Sequence, residues 1–551
     1  MTFSEHSQIS VKLESPFLDQ KPGTSGLRKS TKYFFDTPHY LESFLESTFK
    51  CLPGVEGGIL IVGGDGRYGN SEAIQLIISM AAVHGVSQII TTTNGILSTP
   101  AASHLIRFHK AVGGIILSAS HNPGGINGDF GVKINGSNGG PASESLTEKI
   151  YNYSCNLVEY KISKEYQPVP LNHEGVYNIG SMKISVINGI EDYSSLMQKL
   201  FDFDLISSYI KNNFTFSFDS LNAVTGPYAK LIFEDLLGAP QGTVKNGQPL
   251  EDFGGCHPDP NLTYAHQLAD ELLKEQKYSF GAACDGDGDR NMILGKGCFV
   301  NPSDSLAVLT ANYSCVPEYS NGLFGVARSM PTSSAVDVVA KSLKIKHFET
   351  PTGWKFFGNL LDKEMITFCG EESFGTGSSH IREKDGIWAV LFWLQILSNK
   401  KCSVSNIMNS HWSTFGRHYY SRHDYESIPS DIAKKLYSNL ESKFINLKGN
   451  RFAGRLIESA DNFRYCDPID NSVAENQGLR IILDDQSRVV LRLSGTGTKG
   501  ATLRVYLEKY VSSTGNISED PQLALSDLIK EVDNLAQITK LTKMLKPSVI
   551  T

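Results

Sequence analysis

The feature that most constrains the fold of this sequence is a series of apolar runs that end in glycine-rich or polar turns. The run at 57–67 leads into a segment at 71–85 with helical spacing of its apolar residues, and a further apolar run follows at 87–93. A continuous apolar run is typical of a strand that is buried on both faces, because crossover helices cover a parallel sheet. The alternation therefore predicts α/β units with at least partly parallel sheets.

This alternation recurs along the chain and changes near residue 402. Further strand and helix patterns follow at 214–238, at 278–290 and at 324–361, whereas three runs between 478 and 510 resemble strands of an antiparallel sheet. The predicted fold is α/β, with three mixed-sheet α/β domains and a C-terminal α+β domain. The predicted domains cover residues 1–190, 191–304, 305–400 and 401–551. No tandem repeat of fixed period is visible.

Composition limits the class of protein. A chain of 551 residues is too long for one hydrophobic core. Its net charge of −7 argues against a nucleic-acid partner, whose binding protein usually presents a basic face. Its nine cysteines form no CxxC pair, which favours reduced thiols in a cytoplasmic protein. No apolar run reaches the ~18 residues of a membrane span, and the N-terminus lacks the apolar stretch of a signal peptide.

The first motif with chemical potential is Ser118-Ala-Ser120-His-Asn-Pro-Gly-Gly125. It follows an apolar strand, at the edge where open α/β sheets place their ligands. Ser120 is the candidate nucleophile, and His121 and Lys133 are candidates to move protons or to hold a phosphate. The alternative is an ordinary polar turn with a helix cap.

The second motif is Asp285-Gly-Asp287-Gly-Asp289-Arg290. Three carboxylates so close together would repel one another, so a hard divalent cation is their natural partner. An EF-hand does not fit, because Arg290 stands where that loop needs glycine and Lys296 stands where it needs glutamate. Open coordination suits magnesium shared with a phosphate oxygen. The alternative is a solvated acidic turn.

The third motif joins Cys369-Gly-Glu371-Glu-Ser373-Phe-Gly to a cationic stretch that includes Arg382 and Lys384. Carboxylate and hydroxyl groups on a glycine-rich turn are suitable partners for sugar hydroxyls. The alternative is a charged loop before the apolar helix that follows it.

The fourth motif runs from Arg492 through Ser494, Gly495, Thr496 and Gly497 to Gly500, with Arg504 beyond it. Glycines let backbone N–H groups approach an anion, and the hydroxyls can donate to it. The spacing contains G-x-G-x-x-G, but a strand pattern follows where a dinucleotide site needs a helix. A phosphate site is therefore favoured, and a plain hairpin is the alternative. Two shorter turns also suit binding of a phosphorylated sugar. One offers the hydroxyls of Thr24 and Ser25 with Arg28, and the other is a compact turn at Thr352 and Gly353 with the cation Lys355.

Taken together, these motifs resemble the α-D-phosphohexomutase superfamily, in its branch of eukaryotic-type phosphoglucomutases. The resemblance rests on long strings, including KPGTSGLRKS, SASHNPGG, HPDPNLTY, DGDGDRNMILG, PTGWKFFGNL, CGEESFGTG, HIREKDG and RLSGTGTKGATLR. These strings run nearly from end to end of the chain. The resemblance implies four domains around a central active-site cleft, and sugar phosphates as the partners.

The resemblance also implies a role for each motif. Ser120 corresponds to a serine that is phosphorylated in the resting enzyme, and magnesium is bound by that serine with Asp285, Asp287 and Asp289. Glu371 and Ser373 correspond to binders of the sugar hydroxyls. The site for the distal phosphate is implied at Ser494, Gly495, Thr496, Gly497 and Arg504. The residues implied around the transferring phosphoryl group are Arg28, His121, Lys133, Arg290 and Lys384.

The implied activity is interconversion of glucose 1-phosphate and glucose 6-phosphate by a monomer or weak dimer. The phosphoserine donates its phosphoryl group, glucose 1,6-bisphosphate reorients in the cleft, and the serine recovers a phosphoryl group. Two alternatives stay open. One is a bisphosphate synthase or a mutase for another hexose phosphate, and the other is a non-enzymatic scaffold in secretion, as in parafusin-like relatives.

Overall fold

The computed structural model describes residues 8–23, 25–164, 167–212, 214–497 and 500–551. Within these ranges the chain forms four main sheets, three of mixed direction and one antiparallel, with helices packed on them. The fold class predicted from the sequence is confirmed.

The first domain holds a seven-stranded sheet and a two-stranded ribbon. Its strands are β1 (Gln8–Lys12), β2 (Leu27–Ser30), β3 (Ile59–Gly64), β4 (Gln88–Thr92), β5 (Gly113–Leu117), β6 (Asp129–Gly136), β7 (Glu159–Ser163), β8 (Gly175–Ile179) and β9 (Met182–Ile187). The sheet order is β2-β6-β5-β3-β4-β9-β8, and β1 pairs with β7. The helices are α1 (Thr31–Asp36), α2 (Tyr40–Cys51), α3 (Asn70–Val83), α4 (Thr99–Phe108) and α5 (Glu144–Ser154).

The second domain has five strands in the order β11-β10-β12-β13-β14. They are β10 (Phe216–Asp219), β11 (Val244–Lys245), β12 (Phe280–Cys284), β13 (Asn291–Gly295) and β14 (Cys298–Val300). Its helices are α6 (Gly189–Leu200), α7 (Phe203–Lys211), α8 (Thr225–Ala229) and α9 (His266–Ala269), and π-helical turns continue the last two.

The third domain has four strands in the order β16-β15-β17-β18. They are β15 (Gly325–Ser329), β16 (Lys346–Thr350), β17 (Phe368–Glu371) and β18 (Gly375–Ser378). Its helices are α10 (Pro302–Ala311), α11 (Ala335–Leu343), α12 (Trp354–Asp362), α13 (Gly386–Lys400) and α14 (Val404–Phe415). Helix α13 is apolar all round and buried from Gly386 to Ser398, so it serves as a central core element and not as a surface helix.

The three mixed sheets repeat one topology. In each, a central strand (β3, β10 or β15) has parallel neighbours on both sides, and an antiparallel strand follows the second neighbour. The hairpins β5–β6, β12–β13 and β17–β18 therefore occupy equivalent places. These three hairpins carry the serine, aspartate and sugar motifs respectively. The repeat explains how motifs far apart in the sequence come from equivalent places in three domains.

The fourth domain is an antiparallel sheet in the order β20-β21-β24-β25-β26-β19-β27. Its strands are β19 (Arg417–Ile428), β20 (Arg451–Phe452), β21 (Arg455–Asn462), β22 (Tyr465–Cys466), β23 (Val473–Ala474), β24 (Leu479–Leu483), β25 (Arg488–Gly497), β26 (Gly500–Val511) and β27 (Val549–Ile550). The helices are α15 (Ser430–Phe444), α16 (Pro521–Ala524), α17 (Ser526–Ala536) and α18 (Ile538–Thr542). No helix in the described part of the chain has the length and apolar character needed to cross a bilayer.

Candidate active site

Ser120 lies in the turn between β5 and β6, with its backbone in the left-handed region at φ 53°. The residue is almost fully buried. Its Oγ lies 2.8 Å from Oδ2 of Asp285 and 3.4 Å from Nδ1 of His121. The candidate nucleophile of the first domain is thus in direct contact with the aspartate loop of the second.

The aspartate loop connects β12 to β13, and its three carboxylates converge. Asp285, Asp287 and Asp289 are all buried, and each offers an oxygen within 4.8 Å of the others. Gly288 takes φ 77°, a backbone conformation that L side chains rarely adopt, so glycine suits the bend of this loop. The first turn of α4, in the first domain, also holds this loop in place. Thr99 at the start of that helix donates from Oγ1 to Asp287 at 2.5 Å.

The donor set fits a hard divalent cation. One oxygen of Asp287 and one of Asp289 are buried without a hydrogen-bond partner among the described residues. Burial, reinforced by the other two carboxylates, raises the pKa of Asp285 well above its usual value. A divalent cation would use these oxygens and relieve this repulsion. The predicted metal loop is therefore compatible with a metal site.

Lysine side chains neutralise part of this charge. Lys133 contacts Asp287 and lies 3.4 Å from Oδ2 of Asp289, and Lys384 lies 3.3 Å from the same oxygen. Burial opposes ionisation of Asp287, but the Lys133 ammonium outweighs it and the pKa of Asp287 is lowered. Both lysines therefore place positive charge beside the aspartate loop.

Arg28 and Arg290 add two guanidinium groups around His121. Arg290 lies 3.6 Å from Asp259 and 3.9 Å from Asp285. Burial, with a further contribution from the two arginines, lowers the pKa of His121 well below its usual value. The imidazole is therefore neutral at neutral pH, and it can exchange a proton without starting as a cation.

The third motif occupies the turn between β17 and β18. Glu371 accepts a hydrogen bond from the backbone N–H of Gly353 at 3.0 Å, which joins the third motif to the predicted turn at Thr352 and Gly353. Burial raises the pKa of Glu371. Ser373 follows on the same turn and lines the cleft with Glu371.

The part of the cleft that the fourth domain lines is cationic. Arg492 on β25 stands directly opposite Arg504 on β26, and like charges in that relation are destabilising unless something lies between them. Arg492 donates to Oγ1 of Thr352 at 2.7 Å, and Arg422 also lines this part. A phosphate between the arginines would relieve the repulsion, so the arrangement suits a dianion.

One cleft of 450 Å³ gathers most of the predicted residues. Those lining it are His121, Lys133, Asp289, Arg290, Thr352, Gly353, Glu371, Ser373, Lys384, Ser494 and Arg504. Ser120, Asp285 and Asp287 are buried and join the site through the contacts given above. Arg28 on β2 is half-buried and acts electrostatically on Asp287. Thr24 lies outside the described residues. Gly495, Thr496 and Gly497 belong to the end of β25, but their surroundings lie outside the described part as well.

Several residues at this site were not among those predicted. Glu383 lines the cleft, its Oε1 accepts from Asn135 at 3.0 Å, and burial raises its pKa to about 7. Arg422 and Arg492 line the cationic part of the cleft. For two of these residues a signal was available, because Glu383 precedes the predicted Lys384 and Arg492 begins the fourth motif, although neither was given a role.

Comparison with known proteins agrees with this geometry. Models of the phosphoglucomutase/phosphomannomutase α/β/α domains I, II and III match residues 19–187, 191–297 and 302–415. The model of the phosphoglucomutase-1 C-terminal domain matches residues 417–548. The chain belongs to the phosphoglucomutase/phosphomannomutase family. The recognition of this family from sequence motifs is confirmed, while the domain limits at 190, 304 and 400 stay a prediction.

Relatives within this family match over almost the whole chain. A phosphoglucomutase of Rhizobium radiobacter is 52% identical over 537 residues, which cover 98% of this chain and 99% of that protein. Human phosphoglucomutase-1 is 47% identical over 98% of this chain and 99% of its own length. The crystal structure of the Paramecium exocytosis-sensitive phosphoprotein pp63/parafusin, a phosphoglucomutase in an open form, superimposes with a TM-score of 0.91 at 46% identity and covers 99% of both chains.

Proposed function

We propose that this chain interconverts glucose 1-phosphate and glucose 6-phosphate through a phosphoserine at position 120. The observation that carries the proposal is the 2.8 Å contact between Ser120 Oγ and Asp285 beside a cleft that the opposed Arg492 and Arg504 also line. Such a cleft suits a sugar phosphate. The arginines would bind the phosphate that the sugar already carries, and the free hydroxyl would face Ser120 and the metal loop. The names of the family relatives support glucose as the sugar.

The metal we propose is Mg²⁺, held by Asp285, Asp287, Asp289 and an oxygen on Ser120. When bound, it would supply positive charge to the transferring phosphoryl group. The chain's own cations complete that role. Lys133, Lys384 and Arg290 surround the same position and offer fixed charge in a buried site, where such charge is most effective.

In the first half-reaction the phosphoserine gives its phosphoryl group to the free hydroxyl of the bound sugar phosphate. The bond between phosphorus and Ser120 Oγ breaks and a bond to the sugar oxygen forms, while the proton of the sugar hydroxyl passes through a nearby base to Ser120 Oγ, which is left as a hydroxyl. The product is glucose 1,6-bisphosphate. Because His121 is neutral and 3.4 Å from Ser120 Oγ, it is placed to exchange the proton on that oxygen.

In the second half-reaction the bisphosphate has turned around, so that its other phosphate faces Ser120. The cationic part of the cleft must accept either phosphate group, which a site built from Arg422, Arg492 and Arg504 can do, since guanidinium groups recognise phosphate oxygens rather than the attached carbon. Glu371 and Ser373 are proposed to hold sugar hydroxyls in both orientations.

The proposed location is the cytoplasm, as for the potato and Arabidopsis relatives whose names include that word. A monomer or weak dimer remains the predicted assembly. The alternatives from the sequence also remain. The parafusin match favours keeping a role in secretion as a second candidate, because that relative is described as exocytosis-sensitive.

The test is turnover with purified protein, magnesium and a trace of glucose 1,6-bisphosphate, with glucose 1-phosphate and mannose 1-phosphate compared as substrates. We expect glucose 6-phosphate to form, with a higher kcat/KM for the glucose substrate, and the activity to disappear on chelation and in Ser120→Ala. Preference for mannose 1-phosphate would contradict the sugar assignment. Absence of turnover with either sugar would leave the secretion role as the stronger candidate.

A further inference from the structure

Both peptide groups of Ser120 are bonded, directly or through one hydroxyl, to a buried ion pair of Asp65 and Arg67. Arg67 donates from Nη2 to the carbonyl oxygen of Ser120 at 2.9 Å. The backbone N–H of Ser120 donates to Oγ of Ser118 at 2.8 Å, and that hydroxyl donates to Oδ2 of Asp65 at 2.5 Å. One ion pair therefore restrains the residue from its two ends.

The pair itself is rigid and excluded from water. Asp65 is 0% exposed and Arg67 is 1% exposed. Arg67 donates to the carboxylate from Nε at 2.9 Å, and its Nη2 lies 2.8 Å from Oδ2, while Nη1 donates to the carbonyl oxygen of Asp129 at 2.7 Å. Its guanidinium also lies 5.2 Å from the ring centre of Phe253. A planar guanidinium with this many fixed partners has one available orientation.

The topology of the first domain explains the arrangement. Asp65 and Arg67 follow β3, and Ser118 and Ser120 follow β5, which is the parallel neighbour of β3. The carboxyl ends of the two strands meet at one edge, so the loops that follow them are in contact. The backbone N–H of Asp65 also donates to the carbonyl oxygen of Leu117, the last residue of β5, at 3.1 Å.

The backbone of Ser120 requires such support. A left-handed conformation is unfavourable for a residue with a side chain, and it persists where the surroundings over-determine it. Holding the N–H and the C=O of one residue restrains its φ and ψ, and these angles set the direction of the Cα–Cβ bond, so that a single side-chain rotation then places Oγ. In this structure Oγ points at Asp285.

We infer that Asp65, Arg67 and Ser118 are positioning residues for phosphoryl transfer, an inference that rests on the proposed function. They do not line the substrate cleft, so they act only through the direction of Ser120 Oγ. Phosphoryl transfer needs the attacking and leaving oxygens roughly in line with phosphorus, and Ser120 takes part in that alignment in both halves of the cycle. Misplacing a reacting atom by about 1 Å costs on the order of 100-fold in rate.

Two variants test this inference, with a matched control. Ser118→Ala removes one hydroxyl and leaves the Ser120 N–H without its acceptor. Arg67→Lys keeps the charge but loses the planar fork that reaches the carboxylate and the two carbonyl groups. Ser47→Ala is the control, because Ser47 is also a buried serine that lies outside the candidate site. Among the described residues, its hydroxyl bonds only to the carbonyl oxygen of Ser43 in α2.

We expect kcat of Ser118→Ala and Arg67→Lys to fall by about 10- to 100-fold, with KM for glucose 1-phosphate within about threefold of wild type. Single-turnover transfer from the phosphorylated enzyme should slow by the same factor. Ser47→Ala should match wild type in kcat and in the single-turnover rate. Circular dichroism and thermal unfolding check folding, and if Arg67→Lys does not fold, Ser118→Ala decides the result.

A kcat close to that of Ser47→Ala in both folded variants would overturn the inference. A raised KM with unchanged kcat would overturn it as well, because that pattern belongs to a binding role. Wild-type protein in the same assay separates this failure from failure of the proposed function. Without wild-type turnover the proposed function falls, and the positioning role falls with it.

Discussion

The side-chain oxygen of Ser120 lies 2.8 Å from Oδ2 of Asp285, so a turn of the first domain and a turn of the second share one hydrogen bond. The two turns occupy equivalent places in sheets of the same topology. The proposed chemistry needs this relationship, because a metal held by the aspartate loop would reach a phosphate on Ser120 only if the two turns remain in contact.

Loss of one metal-loop carboxylate should abolish both magnesium binding and turnover. In Asp287→Asn we expect kcat to fall by on the order of 100-fold or more, since metal-ion stabilisation of the transferring group is worth several kcal/mol. Magnesium should raise the Tm of wild-type protein but not of the variant, because binding stabilises only a protein that has the site.

Asp270→Asn is the matched control for this experiment, since the side chain of Asp270 forms an exposed ion pair with Lys274, away from the site. It should bind magnesium and turn over like wild type. Equal magnesium stabilisation in Asp287→Asn and wild type would contradict the metal assignment, whatever the effect on activity.

Removing one arginine from the cationic part of the cleft should weaken substrate binding more than it slows chemistry. In Arg504→Gln we expect KM for glucose 1-phosphate to rise about 10- to 100-fold, because a hydrogen bond to a charged group is worth about 1.5–3 kcal/mol. Inorganic phosphate should raise the Tm of wild type more than that of the variant.

The control for the arginine experiment is Arg464→Gln, which removes an exposed arginine paired with Glu475 in the same domain. This variant should have the same KM as wild type and the same rise in Tm on addition of inorganic phosphate. If both variants behave alike, the effect of Arg504 is one of general charge and not of a phosphate site.

The buried carboxyl of Asp304, away from the metal loop, should make stability depend on pH. It accepts a hydrogen bond from Trp412 at 3.2 Å, and His418, Arg417 and Glu508 also act on it electrostatically. Burial raises its pKa to about 6 from 3.8, so the stability that it contributes is fully present below pH 4 and is lost as pH rises through 6.

Asp304→Asn carries a neutral group at every pH and should therefore gain stability relative to wild type as pH rises. Between pH 4 and pH 8 we expect the free energy of unfolding of the variant to rise by about 3 kcal/mol relative to that of wild type, because the pKa of Asp304 is shifted by about two pH units. The measurement is the Tm of both proteins across that range. A constant difference in Tm would show that the carboxyl titrates normally.

Much of the site was predictable because its residues follow apolar strands as short, unusual strings. Ser120 and the three aspartates are of this kind, and the strand pattern alone placed them at sheet edges. The threefold repetition of one topology was not predictable in this way, since the repeats share strand order and not residue identity. The pairing of Arg492 with Arg504 depends on the register of β25 and β26. The pattern of apolar residues predicts the two strands but not which residues stand opposite each other.

Arg67 illustrates a different limit of the sequence. Arg67 ends the run at 57–67, which the sequence predicts to be a strand that leads into a glycine-rich turn. The role inferred for Arg67 depends instead on its contacts with carbonyl oxygens 53 and 62 residues away. Backbone acceptors carry no residue signature, so such contacts cannot be identified from side-chain types. Only the parallel pairing of β3 with β5 brings the two loops together.

The most direct test of the central claim is to follow a labelled phosphoryl group. The protein would be incubated with magnesium and glucose 1,6-bisphosphate carrying radioactive phosphorus, digested and mapped, and then chased with unlabelled glucose 1-phosphate. We predict one label per chain on Ser120, lost in the chase as labelled bisphosphate and absent from Ser120→Ala. Label on another residue, or label on Ser120 that the sugar phosphate does not remove, would contradict the account.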